Sequence, residues 1–287
     1  MPPELAAFAG LRPRLLRLAY RMLGSVAEAE DVVQETWLRW QGAEKEGIRD
    51  PEAFLIRIAT RLCLDALRAA RRRREDYVGP WLPEPLVDPF APAEPPLADE
   101  LTLTMMLVLE RLSPAERAAF LLHDVFGLDF AEIAQSLDRE EAACRQLASR
   151  ARRQVQSARP RFPAAPEAGI RLAEAFFAAS RSGDASALRQ MLAAEAVAVT
   201  DGGGRRRAAL NPILGPDRII AFFAGLARKG VFTTAPPLHL GLIDGLPGFI
   251  TREPDGGMQA TALQIENDAI AAIYIQRNPD KLRHLLQ

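Results

Sequence analysis

The sequence predicts a multidomain chain in which two all-α parts precede an α+β part. Three observations predict it. The 287 residues exceed what one domain usually holds. Two proline-rich breaks divide the chain, at residues 76–96 and 159–166. Apolar residues recur at helical spacing before the second break, and short β-branched runs between Gly, Asp and Asn turn signals fill most of the chain after it.

Composition describes an ordinary globular chain, with 48% hydrophobic and 25% charged residues. The net charge of −1 gives no sign of a nucleic-acid partner, but arginines crowd into "LRAARRRR" and "CRQLASRARRQ". The two cysteines, Cys63 and Cys144, are too few for a metal site and indicate buried thiols in a reducing compartment. We expect no cofactor, no metal, no signal peptide and no membrane span, and hence a cytoplasmic protein.

The first block, residues 5–74, predicts helices interrupted near Leu23 and again between Gly42 and Pro51. In "AEAEDVVQETWLRW", the apolar stripe of one helix is formed by Val33, Trp37 and Trp40. The opposite face is acidic. Spacing alone favours a solvated face, and the alternative is a docking face for a partner protein.

The next helix has a favourable N-terminus, because Asp50 can cap it and Pro51 suits its first position. We expect two stripes on it. The apolar stripe comprises Phe54, Ile58 and Leu62, and the basic stripe comprises Arg57, Arg61 and Arg68. Like charges at this spacing repel, so the basic stripe indicates an anionic partner such as phosphate. The alternative is solvated arginines with Asp65 as a local counter-charge.

The second block predicts a helix-turn-helix. Ser113 caps a helix with Pro114 at its first position and Glu116 at the capping-box position. A short helix, a tight turn and a longer basic helix follow, which is the plan of a motif whose second helix enters the major groove. The outward residues of that helix include Arg145, Gln146, Ser149, Arg150 and Arg153. The first two suit base edges, and the last two suit phosphates. The alternative is a plain three-helix bundle.

Four segments, "AEDVVQETWLRW", "FLIRIATRLCLDALR", "LSPAERAAFLL" and "FAEIAQSL…RQLASRARRQ", resemble the extracytoplasmic-function (ECF) sigma factors of bacterial RNA polymerase. The resemblance implies a sigma-2 domain at residues 5–75, a linker at 76–96 and a sigma-4 helix-turn-helix domain at 97–159. It implies that the partners are promoter DNA and core RNA polymerase, bound at the clamp helices of its large subunit. The implied polymerase contacts are Asp31, Gln34, Glu35 and Leu38.

The same resemblance assigns the two promoter elements. It implies minus-ten recognition by Phe54, Arg57, Arg61, Asp65 and Arg68. It implies minus-thirty-five recognition by the five outward residues of the basic helix named above. Two features depart from the family pattern. Asp138 stands where the turn usually has glycine, and Glu140 and Glu141, which repel phosphate, open the recognition helix.

The third block, residues 167–287, resembles the SnoaL-like branch of the NTF2-like fold, an α+β domain with a curved sheet. The resemblance rests on "DGGGRRRA", "GPDRIIAFF" and "NPDKL". It implies a domain that regulates the sigma factor within one chain, in place of a separate anti-sigma protein. The domain is expected to act through a contact with the rest of the chain, and the residues assigned to that contact are Asp201, Gly202, Gly203, Asn278, Pro279 and Asp280.

Two alternative functions stay open for this domain. The first is catalysis as a cyclase or isomerase, with Asp201 or His239 as the acid/base. The second is sensing of an unidentified small-molecule ligand. Against catalysis, "TDGGG" predicts a hairpin turn in which Asp201 shapes the backbone, and His239 has no located partner.

The linker "YVGPWLPEPLVDPFAPAEPP" is stiffened by prolines, as a connector that must stay extended requires. Its aromatic and aliphatic residues are not explained by that requirement. Burial of Trp81 and Leu82 would contribute roughly 4 kcal/mol at about 2 kcal/mol each. We therefore expect Trp81, Leu82 and Leu86 to dock on the C-terminal domain and to hold the two DNA-binding modules in a closed arrangement.

Overall fold

The computed structural model describes residues 3–87, 102–157 and 166–286. The remainder of the predicted linker and of the second proline-rich break lies outside the described residues. The chain forms two compact units. The helical unit comprises residues 1–76 and 105–159, and the C-terminal unit comprises residues 77–104 and 160–287. The described linker residues 77–87 therefore belong to the C-terminal unit, whereas most of each predicted all-α part belongs to the helical unit.

The first all-α part consists of three helices joined by short connections. They are α1 (Pro3–Leu23), α2 (Val26–Gln41) and α3 (Pro51–Glu75). The predicted interruptions are present, and the local chemistry explains them. The Ser25 hydroxyl accepts from the Glu28 amide at the start of α2, and the Asp50 carboxylate accepts from the Ala53 amide at the start of α3. These side chains satisfy amides that lack a partner within the helix.

The second all-α part is the predicted helix-turn-helix with a preceding helix pair. Its helices are α4 (Leu103–Leu109), α5 (Pro114–Phe120), α6 (Phe130–Leu137) and α7 (Glu141–Ser157), and a π-helical turn, Leu121–Val125, extends α5. Ser113 and Glu116 form the predicted capping box. The tight turn after α6 places Asp138 in the left-handed region, at φ 53°, which Asp enters more readily than most residues.

The prediction for the apolar stripe of α3 was wrong. Phe54, Ile58 and Leu62 are only half-buried. The buried stripe of α3 consists instead of Leu55, Ile56, Ala59, Cys63, Leu64 and Leu67. Both stripes are apolar at helical spacing, and the positions of α1 and α2, which pack against α3, decide which one is buried.

The C-terminal unit has the predicted α+β architecture. Its helices are α8 (Pro166–Ser182), α9 (Ala185–Met191) and α10 (Pro216–Arg228). Its strands are β1 (Leu192–Asp201), β2 (Ile213–Leu214), β3 (His239–Ile243), β4 (Leu246–Arg252), β5 (Met258–Glu266) and β6 (Ala269–Gln276). They form one mixed sheet in the order β2-β1-β6-β5-β4-β3, in which β1 and β6 are parallel and the other pairs are antiparallel.

The two faces of this sheet have different coverings. On one face the side chains of Phe249, Leu263 and Ile273 pack with Phe176 of α8 and Phe223 of α10 in the core. The other face carries small residues, including Gly248, Ala260 and Ala262, which pair across adjacent strands. Linker residues cover this second face, as described below.

The prediction that "TDGGG" forms a tight hairpin was wrong. Asp201 is the last residue of β1, and the chain reaches the antiparallel partner strand β2 only at Ile213. The glycines do turn the chain, since Gly203 and Gly204 have φ values of 55° and 70°. Asp201 itself is 0% exposed, and its role lies in long-range contacts that a local motif does not reveal.

Both cysteines are buried, as predicted. Burial raises the pKa of the Cys63 thiol and of the Cys144 thiol, so both stay protonated and unreactive. Within the described ranges, no helix has the length and apolarity needed to cross a membrane. The same ranges contain no cluster of three acidic, His or Cys side chains suited to a metal ion.

Arg117 of α5 joins several segments of the helical unit. It is 2% exposed. Its guanidinium donates to the carbonyl oxygens of Met22 at 2.6 Å and Leu109 at 2.8 Å, and it pairs with Glu110 at 2.8 Å. Burial lowers its pKa to about 10, so the side chain remains charged at neutral pH.

We expect Arg117→Met to destabilise the helical unit by about 3 kcal/mol or more, because the substitution leaves buried carbonyls and Glu110 without their donor. Thermal unfolding followed by circular dichroism should show a midpoint lowered by several degrees. Arg111→Met, at an exposed position six residues away, is the control and should change little. Equal midpoints for the two variants would contradict this role.

Candidate functional site

The buried carboxylate of Asp201 is the centre of the contact between linker and sheet. Its Oδ1 accepts from the Tyr77 hydroxyl at 2.6 Å. Its Oδ2 accepts from the Leu82 amide at 2.9 Å, from Gln276 Nε2 at 3.2 Å and from Lys281 Nζ at 2.7 Å. Two of these four donors belong to the linker. A buried carboxylate requires such donors and a counter-charge, and the linker provides half of the donors.

Lys281 is the counter-charge, and it also contacts the linker directly. Its Nζ donates to the Leu82 carbonyl at 2.6 Å. The ammonium lies 4.7 Å from the ring centroid of Tyr77 and 4.2 Å from that of Trp81. Cation–π attraction is strongest when the ammonium is desolvated, and Lys281 is buried.

A second carboxylate, that of Asp244, holds the other end of the described linker. Asp244 Oδ2 accepts from the Leu86 amide at 3.2 Å, and the Asp244 amide donates to the Leu86 carbonyl at 2.9 Å. The Asp244 carbonyl accepts from the Leu103 amide at 2.9 Å. The β3–β4 turn therefore binds the chain on both sides of residues 88–101.

Side-chain donors bond to three carbonyls of the linker, those of Leu82, Pro83 and Pro85. Gln276 Nε2 donates to the carbonyls of Leu82 and Pro83, each at 3.3 Å. His284 Nε2 donates to the Pro85 carbonyl at 2.7 Å. Leu82 and Leu86 are 2% and 8% exposed. Between this segment and the sheet there remains a cavity of about 10 Å³, close to the space of one water molecule.

The glycines and the Asn278 turn shape this site. A Cβ on Gly203, whose φ is 55°, would lie 2.1 Å from Asn278 Nδ2 and 2.9 Å from the Tyr77 hydroxyl. A Cβ on Gly202 would lie 2.2 Å from the Arg206 carbonyl oxygen. Asn278 caps the short turn Pro279–Lys281 by accepting from the Asp280 amide at 3.0 Å. The turn presents Lys281 to Asp201.

Sequence reasoning named some of these residues and missed others. The structure brings Trp81, Leu82, Leu86, Asp201, Gly203 and Asn278 together. It places the Asp280 side chain in ion pairs with Arg205 and Arg283 instead of with the linker. The missed residues are Tyr77, Asp244, Gln276, Lys281 and His284. "NPDKL" already contained Lys281, but no local pattern indicates the partners in the β3–β4 turn, at the end of β6 and after it.

Comparisons with known proteins identify the chain. Residues 7–73 match the family Sigma-70 region 2, and residues 103–155 match Sigma-70, region 4. The ECF RNA polymerase sigma factor SigJ of Mycobacterium tuberculosis is 39% identical over 300 residues, covering 97% of this chain and 93% of SigJ. The chain belongs to the ECF family of RNA polymerase sigma factors. The resemblance on which the sequence prediction rested is confirmed.

Two further comparisons extend this result to the whole sigma factor. The crystal structure of M. tuberculosis SigJ matches with a TM-score of 0.76 and 35% identity, covering 97% of this chain and 98% of that chain. The likeness therefore includes the C-terminal unit. A probable ECF sigma factor of the same species, SigI, is 38% identical over 194 residues, which is 66% of this chain and 67% of SigI.

The residues predicted for core-polymerase contact lie on the outer side of α2 of the sigma factor. Asp31 and Gln34 are exposed, and Glu35 is partly exposed and pairs with Arg39 at 2.9 Å. Leu38 is 53% exposed. The inner side of the helix buries Val33 and Trp40, so this arrangement leaves the predicted contact face accessible.

The residues predicted for the minus-ten element lie along α3 of the sigma factor. Arg61 donates to the Gln135 carbonyl at 3.1 Å, and Arg57 donates to Gln135 Oε1 at 3.5 Å. Arg68 pairs with Asp65 at 2.9 Å on the exposed side. Gln135 belongs to α6 of the helix-turn-helix, so α3 and α6 are in contact within the helical unit.

The five residues predicted for the minus-thirty-five element are all exposed on α7. Arg145 pairs with Glu141 at 2.5 Å, and Arg150 pairs with Glu116 at 3.4 Å. The buried side of α7 is the predicted one, formed by Cys144, Leu147, Ala148, Ala151 and Val155. The helix therefore presents a basic outer face to solvent.

We expect Asp201→Asn to release the linker, because the variant loses the buried charge that pairs with Lys281 and weakens two linker hydrogen bonds. A loss of about 3 kcal/mol corresponds to amide exchange faster by roughly a hundredfold. Hydrogen exchange of the peptide covering Leu82 and Leu86, measured by mass spectrometry, tests this. The exposed Asp255→Asn is the matched control, and unchanged protection in Asp201→Asn would contradict the role of Asp201.

Proposed function

We propose that this sigma factor binds core RNA polymerase through the outer face of α2 and that its C-terminal unit regulates promoter recognition by holding the linker. Sigma factors bind core polymerase and promoter DNA, and the proposal concerns how this chain does so and where it is controlled. The observation that carries the regulatory part is the docking of residues 77–87 on the C-terminal unit through Asp201 and Asp244. We place this activity in the cytoplasm, where the polymerase is.

The face of α2 suits a protein partner. Leu38 is a large apolar side chain that is more than half exposed, and it lies one helical turn from Gln34. An exposed apolar residue next to acidic and amide groups is typical of a contact with an apolar centre and a polar rim. We propose that Leu38 packs against the clamp helices of the large polymerase subunit, with Asp31, Gln34 and Glu35 around it.

For DNA, the proposal assigns α3 to the minus-ten element and α7 to the minus-thirty-five element. In the described state, Arg57 and Arg61 of α3 donate to Gln135 of α6. Promoter DNA therefore has to compete with α6 for the same arginines. This supports a closed arrangement of the two promoter-reading parts in the free protein, with Phe54, Asp65 and Arg68 on the accessible remainder of α3.

The docked linker favours that closed arrangement through the connectivity of the chain. The linker joins α3 to α4, and the chain is fixed on the C-terminal unit on both sides of residues 88–101: Leu86 and Leu103 each bond to Asp244. Docking thus restrains the described part of the connection. The family resemblance implies that this connector threads through the polymerase in an extended form, and that requires undocking. We propose that the docked state inhibits initiation.

The positions of Asp201 and His239 do not support a paired acid/base site. Asp201, Gln276, Ala260, Ile250 and His239 form one row across five strands. At about 4.8 Å per strand, Asp201 and His239 are roughly 19 Å apart, which is too far for a shared acid/base step. The cavity of about 10 Å³ under the linker holds no metabolite while the linker is docked. We propose a regulatory domain without catalysis.

We expect Leu38→Ala to weaken binding to core polymerase by about 5- to 30-fold, the equivalent of 1–2 kcal/mol at the centre of an interface. Titration of fluorescently labelled core enzyme with each sigma factor variant measures it. Leu5→Ala, another exposed leucine of the same helical unit, is the control. Indistinguishable affinities for the two variants would remove α2 from the proposed contact.

We expect Trp81→Ala to raise promoter-specific transcription several-fold at limiting sigma factor, because it removes the ring against Lys281 and loosens the linker. Run-off transcription with reconstituted holoenzyme is the measurement. Val78→Ala, which changes a half-exposed residue of the same linker, is the control. Lower or equal activity of Trp81→Ala relative to this control would contradict an inhibitory docking.

A further inference from the structure

Three planar groups, those of His123, Phe130 and Arg145, lie in a row beside the recognition helix of the helix-turn-helix, and we call this row the stack. The rings of His123 and Phe130 have centroids 4.2 Å apart and an interplanar angle of 33°. The guanidinium carbon of Arg145 lies 5.4 Å from the Phe130 centroid. The stack therefore runs from the π-helical turn after α5, through the first residue of α6, to the exposed side of α7.

The two rings of this stack are held by backbone geometry. His123 lies in the π-helical turn, and its Nδ1 donates to the Leu128 carbonyl at 2.9 Å. Phe130 follows the cap residue Asp129, which forms a reciprocal capping box with Glu132. A side chain that leaves a capped first turn has a fixed origin, so Phe130 provides a defined surface for whatever packs on it.

The guanidinium of Arg145 is held at a second point. Arg145 donates to Glu141 at 2.5 Å, one helical turn earlier on α7. Arg145 is about half exposed and Glu141 slightly less so. The guanidinium thus lies over the Phe130 ring, and one of its N–H groups donates to Glu141. A guanidinium carries five N–H donors, and the remaining ones are available to a ligand in front of α7.

We infer that Phe130 and Glu141 are positioning residues that set the base specificity of Arg145, holding its guanidinium for bidentate contact with a guanine in the minus-thirty-five element. Guanine is the base implied by this chemistry, because its O6 and N7 accept two parallel hydrogen bonds from a planar guanidinium. The inference deepens the proposed function and rests on its assignment of α7 to that element.

The charge of Glu141 supports base recognition over phosphate contact. An acidic side chain near a phosphate is repulsive, and the family resemblance alone makes Glu141 a departure from the expected pattern. Paired with Arg145, it leaves a nearly neutral pair with directed donors. Phosphate contacts fix position and depend on net charge, whereas base edges are distinguished by the direction of hydrogen bonds. A stacked arginine paired with an acid is suited to the second task.

The stack also reduces the conformational entropy that the Arg145 side chain loses on binding DNA. A free arginine side chain must give up several rotamers to form a bidentate contact. Contact with Phe130 and Glu141 restricts them beforehand, so correct geometry is present before the base arrives. Loss of either contact should therefore weaken discrimination at one base pair more than it weakens binding in general.

Holoenzyme binding to a promoter library randomised across the minus-thirty-five element tests the inference. Arg145→Ala should lower the preference for guanine at one position by about 5- to 150-fold. Phe130→Leu should lower it about 3- to 10-fold at that same position and leave the other positions unchanged. Phe130→Tyr, which keeps the ring, should retain the preference. Glu141→Gln should lower it while binding to all sequences becomes slightly tighter.

The double variant Phe130→Leu with Arg145→Ala should show no further change in base preference beyond Arg145→Ala. A uniform loss at every position, or an effect of Phe130→Leu that persists without Arg145, would overturn the inference and indicate a purely structural role. If Arg145→Ala changes a base preference but Phe130→Leu and Glu141→Gln do not, the positioning role alone fails. If Arg145→Ala leaves every preference unchanged, the proposed role of Arg145 in promoter recognition fails as well.

Discussion

The linker contact depends on one buried carboxylate. Asp201 has no solvent exposure, and a charge in that position is tolerated only with an opposite charge and hydrogen-bond donors. The sheet and the C-terminal turn supply Gln276 and Lys281, and the linker supplies Tyr77 and the Leu82 amide. Without the linker, the rest of the C-terminal unit therefore contains a charged pair with incomplete hydrogen bonding. Docking of the linker completes it, and this explains why a connector and a turn 199 residues apart share contacts.

Prolines make this docking stiff but reversible. Pro83 and Pro85 have fixed φ angles and no amide proton, so a regular strand ladder along the linker is excluded. The amides of Leu82 and Leu86 bond to Asp201 and Asp244, and side chains donate to the carbonyls between them. Because few of these bonds belong to the sheet itself, the linker can leave without breaking any pair of strands. A strand added to the sheet edge would lack this property.

Local features of the fold were predicted from the sequence because local chemistry determines them. The caps at Ser25, Asp50 and Ser113 and the buried face of α7 depend on residues within one or two turns. The stripe of α3 was predicted wrongly, since packing against α1 and α2 selects Leu55 over Phe54. Asp201 was assigned to the contact, but its long-range partners were missed. Its partner Tyr77 is 124 residues away, and a Gly-rich neighbourhood indicates a turn whatever the distant partners are.

The candidate site shows the same difference between local features, which were predicted, and long-range partners, which were not. The apolar character of Trp81, Leu82 and Leu86 indicated docking on a surface, because a connector that only has to stay extended does not require large apolar side chains. The partners on the surface, Asp244 as an acceptor and His284 as a donor, are unremarkable in sequence. Asp244 lies in the β3–β4 turn and His284 lies after β6, and only the folded domain brings both to the same linker.

Because the linker and its binding site belong to one chain, a weak contact between them is sufficient for the proposed regulation of polymerase binding. A segment tethered to its binding site meets it at an effective concentration in the millimolar range, so in the proposed mechanism docking worth a few kcal/mol keeps most molecules closed. Polymerase binding in the nanomolar range would supply about 12 kcal/mol, far more than undocking requires. The proposed contact would therefore lower the affinity for polymerase and the rate of opening without preventing assembly. A separate inhibitor protein would need much tighter binding to reach the same occupancy, because it has no tether. A moderate linker contact around one buried carboxylate is sufficient when both partners belong to one chain.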